Sequence, residues 1–348
     1  MNNSSETYMH RCLQLAKIGK GKVAPNPMVG AVLVYEDRII GEGYHQEYGK
    51  AHAEVNCIND VREEDKQFIP QSTLYVSLEP CAHYGKTPPC ANLIIECKIP
   101  YVVIGCTDLF AEVNGKGIKM LKEAGIEVSV GILEKECLDL NKRFFTFHQH
   151  KRPYIVLKWA QTINNLVAGN GEERLMITNE MTNRLVHCWR SEEAAILVGS
   201  NTVIKDNPKL NNRLWSGKQP VRLVLDRELK INGNYHVLDG SQPTVVFNNS
   251  RSHQQDSLQY IQLNNEESVL KQILNYCYKN NIQSILVEGG TKLLQLFIDH
   301  DCWDEARVIT NTELFVAGGL QSPQLSKATI THTEKISSDL IHYFRPLR

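Results

Sequence analysis

The residues best suited to catalysis are a histidine, a glutamate and two cysteines in the early part of the chain. His52 and Glu54 are two positions apart, and Cys81 and Cys90 follow in the next segment. Imidazole and thiolate groups are good zinc ligands, and three protein ligands leave a fourth coordination position open for water. This is the pattern of a catalytic zinc site. We therefore expect one zinc ion at His52, Cys81 and Cys90.

Glu54 is the carboxylate that could move protons at such a site. Zinc lowers the pKa of bound water towards about 7, which makes hydroxide available at neutral pH, and a carboxylate that is not a ligand can pass the proton to a leaving amine. His-x-Glu followed by Pro-Cys is typical of zinc deaminases, although eight residues, rather than two, separate Cys81 from Cys90. The alternatives are a structural zinc site, or no common site for these residues.

Four polar residues around this motif are candidates for binding a substrate ring. Asn26, between two prolines, could read the edge of a heterocycle through its amide, and the other candidates are His45, His83 and Lys86. His83 could instead be a fourth ligand, although its position between the cysteines is crowded. A single histidine or lysine more often belongs to the surface or to local structure, so both interpretations stay open.

The second half of the chain has weaker signals for a phosphorylated ligand. Glu288-Gly289-Gly290 joins an apolar run to a helical pattern, and glycines at such a junction let backbone N–H groups approach a phosphate. The spacing is not that of a Rossmann fingerprint. Arg174, Arg190 and Arg213 are candidates for pairing with a substrate phosphate. The alternative is that these residues are ordinary turns and surface charges.

Strands and helices must position the zinc motif, and the first part of the chain alternates between their two patterns. The predicted helices are 6–18, 51–60, a segment from about 89, and 116–124, and the predicted strands are 29–35, 39–44, 73–79, 101–107 and 127–132. Such alternation favours a largely parallel sheet with helices on both faces. The sequence therefore predicts an α/β domain over residues 1–147.

A second alternation follows a polar, basic stretch at 148–152, which we interpret as a linker. The predicted strands are 154–162, 194–199, 220–226, 243–248, 284–290 and 305–310, and the predicted helices are 179–191, 268–280 and 291–299. This pattern predicts a second α/β domain over residues 153–348.

Length and composition agree with two domains. At about 150 residues per domain, 348 residues predict two. The 38 Lys and Arg residues balance 39 Asp and Glu residues, which argues against a general nucleic-acid binder. The chain lacks the apolar runs of a membrane span or a signal peptide. We expect a cytoplasmic protein that uses its cysteines in cores and a metal site rather than in disulfides.

These motifs resemble the bifunctional deaminase–reductase family of riboflavin biosynthesis, over about residues 6–330. The most specific segment is LEPCAHYGKTPPC (78–90). It is supported by PNPMVGAVLV (25–34), GYHQEYGKAHAE (43–54), HCWRSEEAAILVGSNTVIKDNPKLNNR (187–213) and LVEGGTKL (286–293). The resemblance implies a cytidine-deaminase-like N-terminal domain and a dihydrofolate-reductase-like C-terminal domain, with one Zn²⁺ per chain and NADPH as cofactors.

The resemblance also implies two reactions on one phosphorylated pyrimidine, 2,5-diamino-6-(5-phosphoribosylamino)pyrimidin-4(3H)-one. The first domain would replace the ring 2-amino group by oxygen and release ammonia, and the second would reduce the ribosyl side chain to ribityl. Two alternatives stay open: a monofunctional zinc deaminase of another base with a degenerate second domain, and a non-enzymatic sensor that binds zinc and a nucleotide. The sequence leaves homo-oligomerisation open.

Residues of the second domain match positions that contact two ligands in this family. The positions that match cofactor contacts are Ala160, Thr202, Asp206 and the run Gly290, Thr291, Lys292, Leu293, Leu294, Gln295 and Leu296, and we expect Met176 and Arg227 to contact the cofactor as well. The positions that match substrate contacts are Arg190, Leu210, Arg213 and Glu288, and Arg174 is a further substrate candidate. The runs 108–111, 162–165 and 174–176 depart from the family pattern. Arg227 stands where serine is usual, and we expect it to pair with the 2′-phosphate of NADPH.

Overall fold

Two parts of the chain build separate hydrophobic cores in the computed structural model, which describes residues 2–82, 88–108, 115–171 and 174–347. The units are Met1–Lys151 and Arg152–Arg348. Within the described ranges, no helix is long and apolar enough to cross a membrane.

The first unit is an α/β domain with one five-stranded sheet. Its helices are α1 (Asn2–Ile18), α2 (Ala53–Asn59), α3 (Cys90–Glu96), α4 (Lys116–Glu123), α5 (Glu134–Leu140) and α6 (Lys142–His150), with a 3₁₀ helix at Glu63–Gln71. Its strands are β1 (Gly30–Tyr35), β2 (Arg38–Tyr44), β3 (Thr73–Leu78), β4 (Tyr101–Cys106) and β5 (Glu127–Val130). The helix and strand patterns predicted from the sequence are each present with shifted ends.

The sheet has the order β2-β1-β3-β4-β5 and is mixed rather than largely parallel. β3, β4 and β5 run parallel, but β1 is antiparallel to both β2 and β3. The prediction of a largely parallel sheet is wrong at this edge, because β1 and β2 form a hairpin. Glu36 and Asp37 make its tight turn with positive φ angles, as two-residue hairpin turns require.

Helices cover both faces of this sheet, as predicted. On one face α2 and α3 pack through residues such as Cys57 and Ile94, and on the other α1 and α5 pack through Cys12 and Cys137. These three cysteines are buried free thiols. They fill space in the cores as small apolar side chains.

The second unit contains a ten-stranded sheet and a separate two-stranded sheet. Its helices are α7 (Glu180–Glu192), α8 (Ser200–Asp206), α9 (Val269–Lys279) and α10 (Thr291–Asp299), with a 3₁₀ helix at His236–Leu238. Its strands are β6 (Tyr154–Thr162), β7 (Leu166–Gly169), β8 (Ala195–Gly199), β9 (Val221–Leu225), β10 (Thr244–Asn248), β11 (His253–Gln255), β12 (Leu258–Gln262), β13 (Ser284–Glu288), β14 (Glu305–Asn311), β15 (Gly319–Gln321), β16 (Ala328–Ile336) and β17 (Asp339–Pro346).

The large sheet has a parallel centre and antiparallel edges. Its order is β11-β12-β10-β9-β8-β13-β6-β14-β17-β16. The strands from β12 to β14 run parallel, whereas β11 and the β16–β17 hairpin are antiparallel to their neighbours. α9 and α10 cover one face and α7 and α8 the other. Ligands of such sheets bind at the carboxyl ends of the parallel strands.

The stretch 148–152 is not entirely a connecting loop. α6 extends to His150, because Phe144, Phe145 and Phe147 are buried and anchor it. Tyr154 then begins β6. Residues 148–150 of the predicted linker are therefore helical.

Candidate active sites

The metal-binding candidates lie at the beginnings of two helices and just after a strand. His52 is the N-cap residue of α2, Cys81 follows β3, and Cys90 is the first residue of α3. The two helices pack on the same face of the sheet. This arrangement brings together three residues that are separated along the chain.

The ligand atoms have the spacing that a tetrahedral zinc ion requires. His52 Nδ1 lies 3.6 Å from Cys81 Sγ and 3.4 Å from Cys90 Sγ. With Zn–S near 2.3 Å and Zn–N near 2.0–2.1 Å, such atoms would be roughly 3.5 Å apart around one ion. Among the described residues, this is the group of three or more His, Cys, Asp or Glu side chains placed to hold a metal ion. The donor set therefore fits zinc.

The surroundings of Cys81 favour its thiolate form. The backbone N–H of Cys90 donates to Cys81 Sγ at 3.3 Å. Hydrogen bonding from the Cys90 thiol, together with His52, lowers the pKa of Cys81. A thiolate is the form that binds a metal, so the site favours the ligand form of Cys81 before an ion arrives.

We expect Cys81→Ser and Cys90→Ser each to lose most of the bound zinc, because a serine hydroxyl is a poor substitute for a thiolate ligand. Metal analysis of the purified variants measures this directly. Cys97→Ser is the matched control, since Cys97 is a partly exposed free cysteine of the same domain. Full zinc occupancy in both ligand variants would show that the ion is held elsewhere.

Glu54 lies in the first turn of α2, beside the candidate ligands, and is only 3% exposed. Burial, reinforced by the negative charge of Cys81, raises the pKa of Glu54 to about 7. A carboxyl group in this environment can hold a proton or release it near neutral pH.

Asn26 and His45 form a polar wall next to His52. The His45 ring is 5.2 Å from the His52 ring. Its Nδ1 donates to the carbonyl oxygen of Ala51 at 3.0 Å, and its Nε2 accepts from the amide of Asn26 at 3.2 Å. Burial lowers the pKa of His45, which agrees with this neutral form. The two other candidates, His83 and Lys86, lie outside the described residues.

Glu79 supports the metal site and was not identified from the sequence. Its buried carboxylate accepts backbone N–H bonds from Asp108, Gly115, Gly117 and Ile118 at 2.9–3.3 Å. It thereby ties the start of α4 to the segment that bears Cys81. The signal was its place in LEPC directly before Pro80 and Cys81, but no local pattern shows which amides a buried carboxylate will meet.

The second unit has a cleft at the carboxyl ends of its central strands, with a volume of 290 Å³. The residues predicted to bind cofactor or substrate that line it are Ala160, Arg174, Met176, Arg190, Thr202, Asp206, Leu210, Arg213, Glu288 and Gly290. They come from β6, α7, α8, β13 and the loops after them. The fold thus gathers residues from distant parts of the chain in one cleft.

An ion pair and a lysine form the floor of this cleft. Arg190 donates two hydrogen bonds to the Glu288 carboxylate, at 3.0 and 2.7 Å. Lys158 lies opposite Glu288 in the register of β6 and β13, so both side chains are on the same face of the sheet. Burial would raise the pKa of Glu288, but Arg190 and Lys158 lower it to about 2. Burial lowers the pKa of Lys158, a residue that the sequence analysis missed.

A cationic pocket of 290 Å³ shares several residues with the cleft. Its basic residues are Arg174, Arg190, Lys209, Arg213 and His236, and none of the described residues that line it is acidic. Burial and the positive charges of Arg190 and Arg174 lower the pKa of Arg213. Such a pocket suits a dianionic phosphate group. Lys209 and His236 were not among the predicted residues.

The Gly289–Gly290 turn brings backbone N–H groups to the cleft at the start of α10. Gly289 has a φ of +100°, and a Cβ there would lie 2.6 Å from Thr202 Oγ1. The Gly290 N–H donates to that oxygen at 2.9 Å. The close approach explains why glycine is needed, and the free end of a helix favours a phosphate group.

The remaining predicted cofactor residues lie away from the cleft lining. Leu293 and Leu294 are buried in the core, and Gln295 bonds to Asp299 and Gln324. Thr291, Lys292 and Leu296 are in α10 with them. Arg227 is exposed after β9. Their contacts with a cofactor stay a prediction, and for the two leucines only backbone groups are available.

Comparisons with known proteins agree with these two sites. Residues 2–106 match the cytidine and deoxycytidylate deaminase zinc-binding region, and residues 153–341 match the RibD C-terminal domain. A riboflavin biosynthesis protein RibD from Aquifex aeolicus is 38% identical over 352 residues, which cover 98% of each chain.

Solved structures extend the likeness to the whole fold. A deaminase/reductase from Thermotoga maritima is 36% identical with a TM-score of 0.91, covering 99% of each chain. RibD of Acinetobacter baumannii is 29% identical with a TM-score of 0.89, covering 100% of each chain.

Together, these findings define the class as a zinc-binding cytidine-deaminase-like domain fused to a dihydrofolate-reductase-like, NADPH-using reductase domain. The chain belongs to the RibD family of bifunctional riboflavin biosynthesis enzymes. It is both a hydrolase and an oxidoreductase.

Proposed function

We propose that the first domain deaminates the 2-amino position of 2,5-diamino-6-(5-phosphoribosylamino)pyrimidin-4(3H)-one, and that the second reduces the ribosyl side chain of the product with NADPH. The arrangement of His52, Cys81 and Cys90 beside the buried Glu54 carries the first half. The spacing of the three ligand atoms supports zinc. Glu54 lies beside them, where its carboxylate could reach a water molecule bound to the ion.

In the first site, bound zinc supplies a water molecule of lowered pKa. Glu54 would take a proton from that water and deliver it to the amine, while the water oxygen bonds to ring C2, the C2–N bond breaks and ammonia departs. One N–H of the Asn26 amide donates to His45. The carbonyl oxygen of Asn26 can accept from an N–H group of the substrate ring. The neutral His45 holds this amide in orientation.

In the second site, the cationic pocket of Arg174, Lys209 and Arg213 holds the substrate 5′-phosphate. The ribosyl side chain then extends along the cleft towards Glu288 and Lys158. NADPH would supply the hydride, and the start of α10 would hold its phosphates. Hydride addition at the ribose C1′ breaks the C1′–O4′ bond, and Lys158 would give the proton that O4′ takes up. Arg190 keeps Glu288 ionised and so holds the lysine charge in place.

Incubation of the purified enzyme with the pyrimidine substrate tests both halves. Without NADPH we expect ammonia release and a mass change equal to the exchange of NH for O. With NADPH we expect a further gain of two hydrogen atoms. Ammonia release without any NADPH oxidation would contradict the second half, and an unchanged substrate would contradict the first.

We predict that Arg227→Ala raises the KM for NADPH selectively, because a guanidinium can hold the 2′-phosphate by charge-assisted hydrogen bonds. The reductase KM for NADPH and NADH, measured with deaminated substrate, checks this. Arg251→Ala is a control, since Arg251 is exposed and stacks on Tyr260. An equal, small change for both cofactors would remove Arg227 from the site without affecting the reductase assignment.

We also propose that the enzyme acts in the cytoplasm on a small molecule, rather than on nucleic acid or at a membrane. The balance of 38 basic and 39 acidic residues supports this, as do the ten cysteines, none of which forms a disulfide. Oxidising compartments favour disulfides between such thiols.

A further inference from the structure

The segment 210–213 borders the cationic pocket and is held mainly by side chains. The Leu210 carbonyl accepts from Gln242, and the Asn211 carbonyl accepts from Arg190. The backbone N–H of Asn212 donates to Gln219 Oε1, and the Asn212 carbonyl oxygen accepts from Gln219 Nε2. Leu210 has a φ of +48°, a conformation that is unfavourable for a residue with a side chain. The segment therefore depends on these contacts for its shape.

His187 holds the last residue of this segment. It is fully buried on α7, one turn before Arg190, and its Nδ1 accepts from the backbone N–H of Arg213 at 3.2 Å. The proton must then be on Nε2, which has no hydrogen-bond partner among the described residues. Burying an unpaired N–H group is unfavourable. The imidazole at this position is therefore explained by the hydrogen bond that its Nδ1 accepts from Arg213.

The protonation of His187 agrees with this bond. Burial, together with the positive charges of Arg190 and Arg213, lowers the pKa of His187 to about 4. The ring is neutral at physiological pH, so Nδ1 is available as an acceptor.

We propose that His187 is a positioning residue for recognition of the substrate phosphate, acting through the backbone of Arg213. This inference rests on the proposed function, in which the pocket of Arg174 and Arg213 holds the 5′-phosphate. The Arg213 guanidinium also donates to Asn211 Oδ1 at 3.1 Å. The orientation of the Arg213 guanidinium is therefore set by the segment 210–213, which His187 and Arg190 hold in place.

Two amide substitutions of His187 distinguish a positioning role from a role in packing alone. In His187→Asn the side-chain oxygen can occupy the place of Nδ1 and keep the acceptor, whereas in His187→Gln it reaches towards the place of Nε2. We expect His187→Gln to raise the reductase KM for the phosphorylated, deaminated substrate ~10-fold, as loss of one hydrogen bond can do. Its kcat should stay within about twofold. His187→Asn should resemble the wild type.

The same substrate without its 5′-phosphate gives the deciding comparison. We expect His187→Gln to have little effect on it, and calorimetric binding without NADPH should show the same difference between the two substrates. An equal loss on both substrates, or equal behaviour of the Asn and Gln variants, overturns the positioning role.

Arg213→Ala distinguishes this inference from the proposed phosphate site. If Arg213→Ala weakens binding of the phosphorylated substrate alone and His187→Gln does not, only the role of His187 is overturned. If Arg213→Ala does not discriminate between the substrates, the phosphate site and the inference both fail. Selective loss in both variants, with His187→Asn intact, supports the inference.

Discussion

Glu54→Gln should retain zinc and lose ammonia release by a factor of about 10²–10⁴. Glutamine preserves the shape of the side chain but cannot shuttle the proton between water and the leaving amine. The three ligand atoms remain in place, since Glu54 is not one of them. Metal analysis together with ammonia release on the pyrimidine substrate measures both properties.

Two controls make this result specific. Glu123→Gln makes the same chemical change at an exposed position on α4 of the same domain and should have little effect. NADPH oxidation with deaminated substrate should persist in Glu54→Gln, because the reductase cleft belongs to the other unit. Ammonia release near the wild-type rate would show that another group moves the proton.

Lys158→Met should abolish most reduction, by about 10²–10⁴-fold, while deamination continues. Methionine keeps an unbranched side chain but removes the proton donor and leaves Glu288 with Arg190 as its partner. The measurement is NADPH oxidation at saturating deaminated substrate, so that the kcat is compared rather than binding alone.

Lys279→Met is the matched control for this variant, because Lys279 is exposed at the end of α9. The melting temperature of Lys158→Met should also be measured, since the residue is partly buried. A folded variant that reduces the substrate at a rate within a few-fold of the wild type would place the proton donor elsewhere.

The metal site could be predicted from the sequence because its signals are local. His52 and Glu54 begin one helix, and Cys90 begins another, so helix starts and ligand chemistry together indicated the site. Glu79 shows the limit of that approach. Its partners are backbone N–H groups, which have no signature in a list of side chains.

The reductase cleft was harder to predict because its floor depends on strand register. Lys158 and Glu288 are far apart in the chain and meet only because β6 and β13 pair in parallel. Lys209 reaches the pocket from a loop and His236 from a short 3₁₀ helix, and hydrophobic periodicity predicts the position of neither. The resemblance to a family supplied residues here that the patterns alone did not.

Some strands of the second unit have no hydrophobic pattern in the sequence that predicts them. Most residues of β16 are exposed, so the strand has no alternation of apolar and polar side chains to indicate it. The short strands β7 and β15 pair only with each other.

The backbone contacts of Glu79 place few demands on the side chains around it. Because its carboxylate binds main-chain N–H groups, the side chains of Asp108 and Ile118 can be replaced without losing that contact, provided that neither becomes proline. Gly115 and Gly117 are exceptions, since Gly115 has a φ of +79° and a Cβ at Gly117 would lie 2.0 Å from the Pro80 carbonyl oxygen. An evolving chain can therefore vary these side chains while the scaffold behind Cys81 stays unchanged.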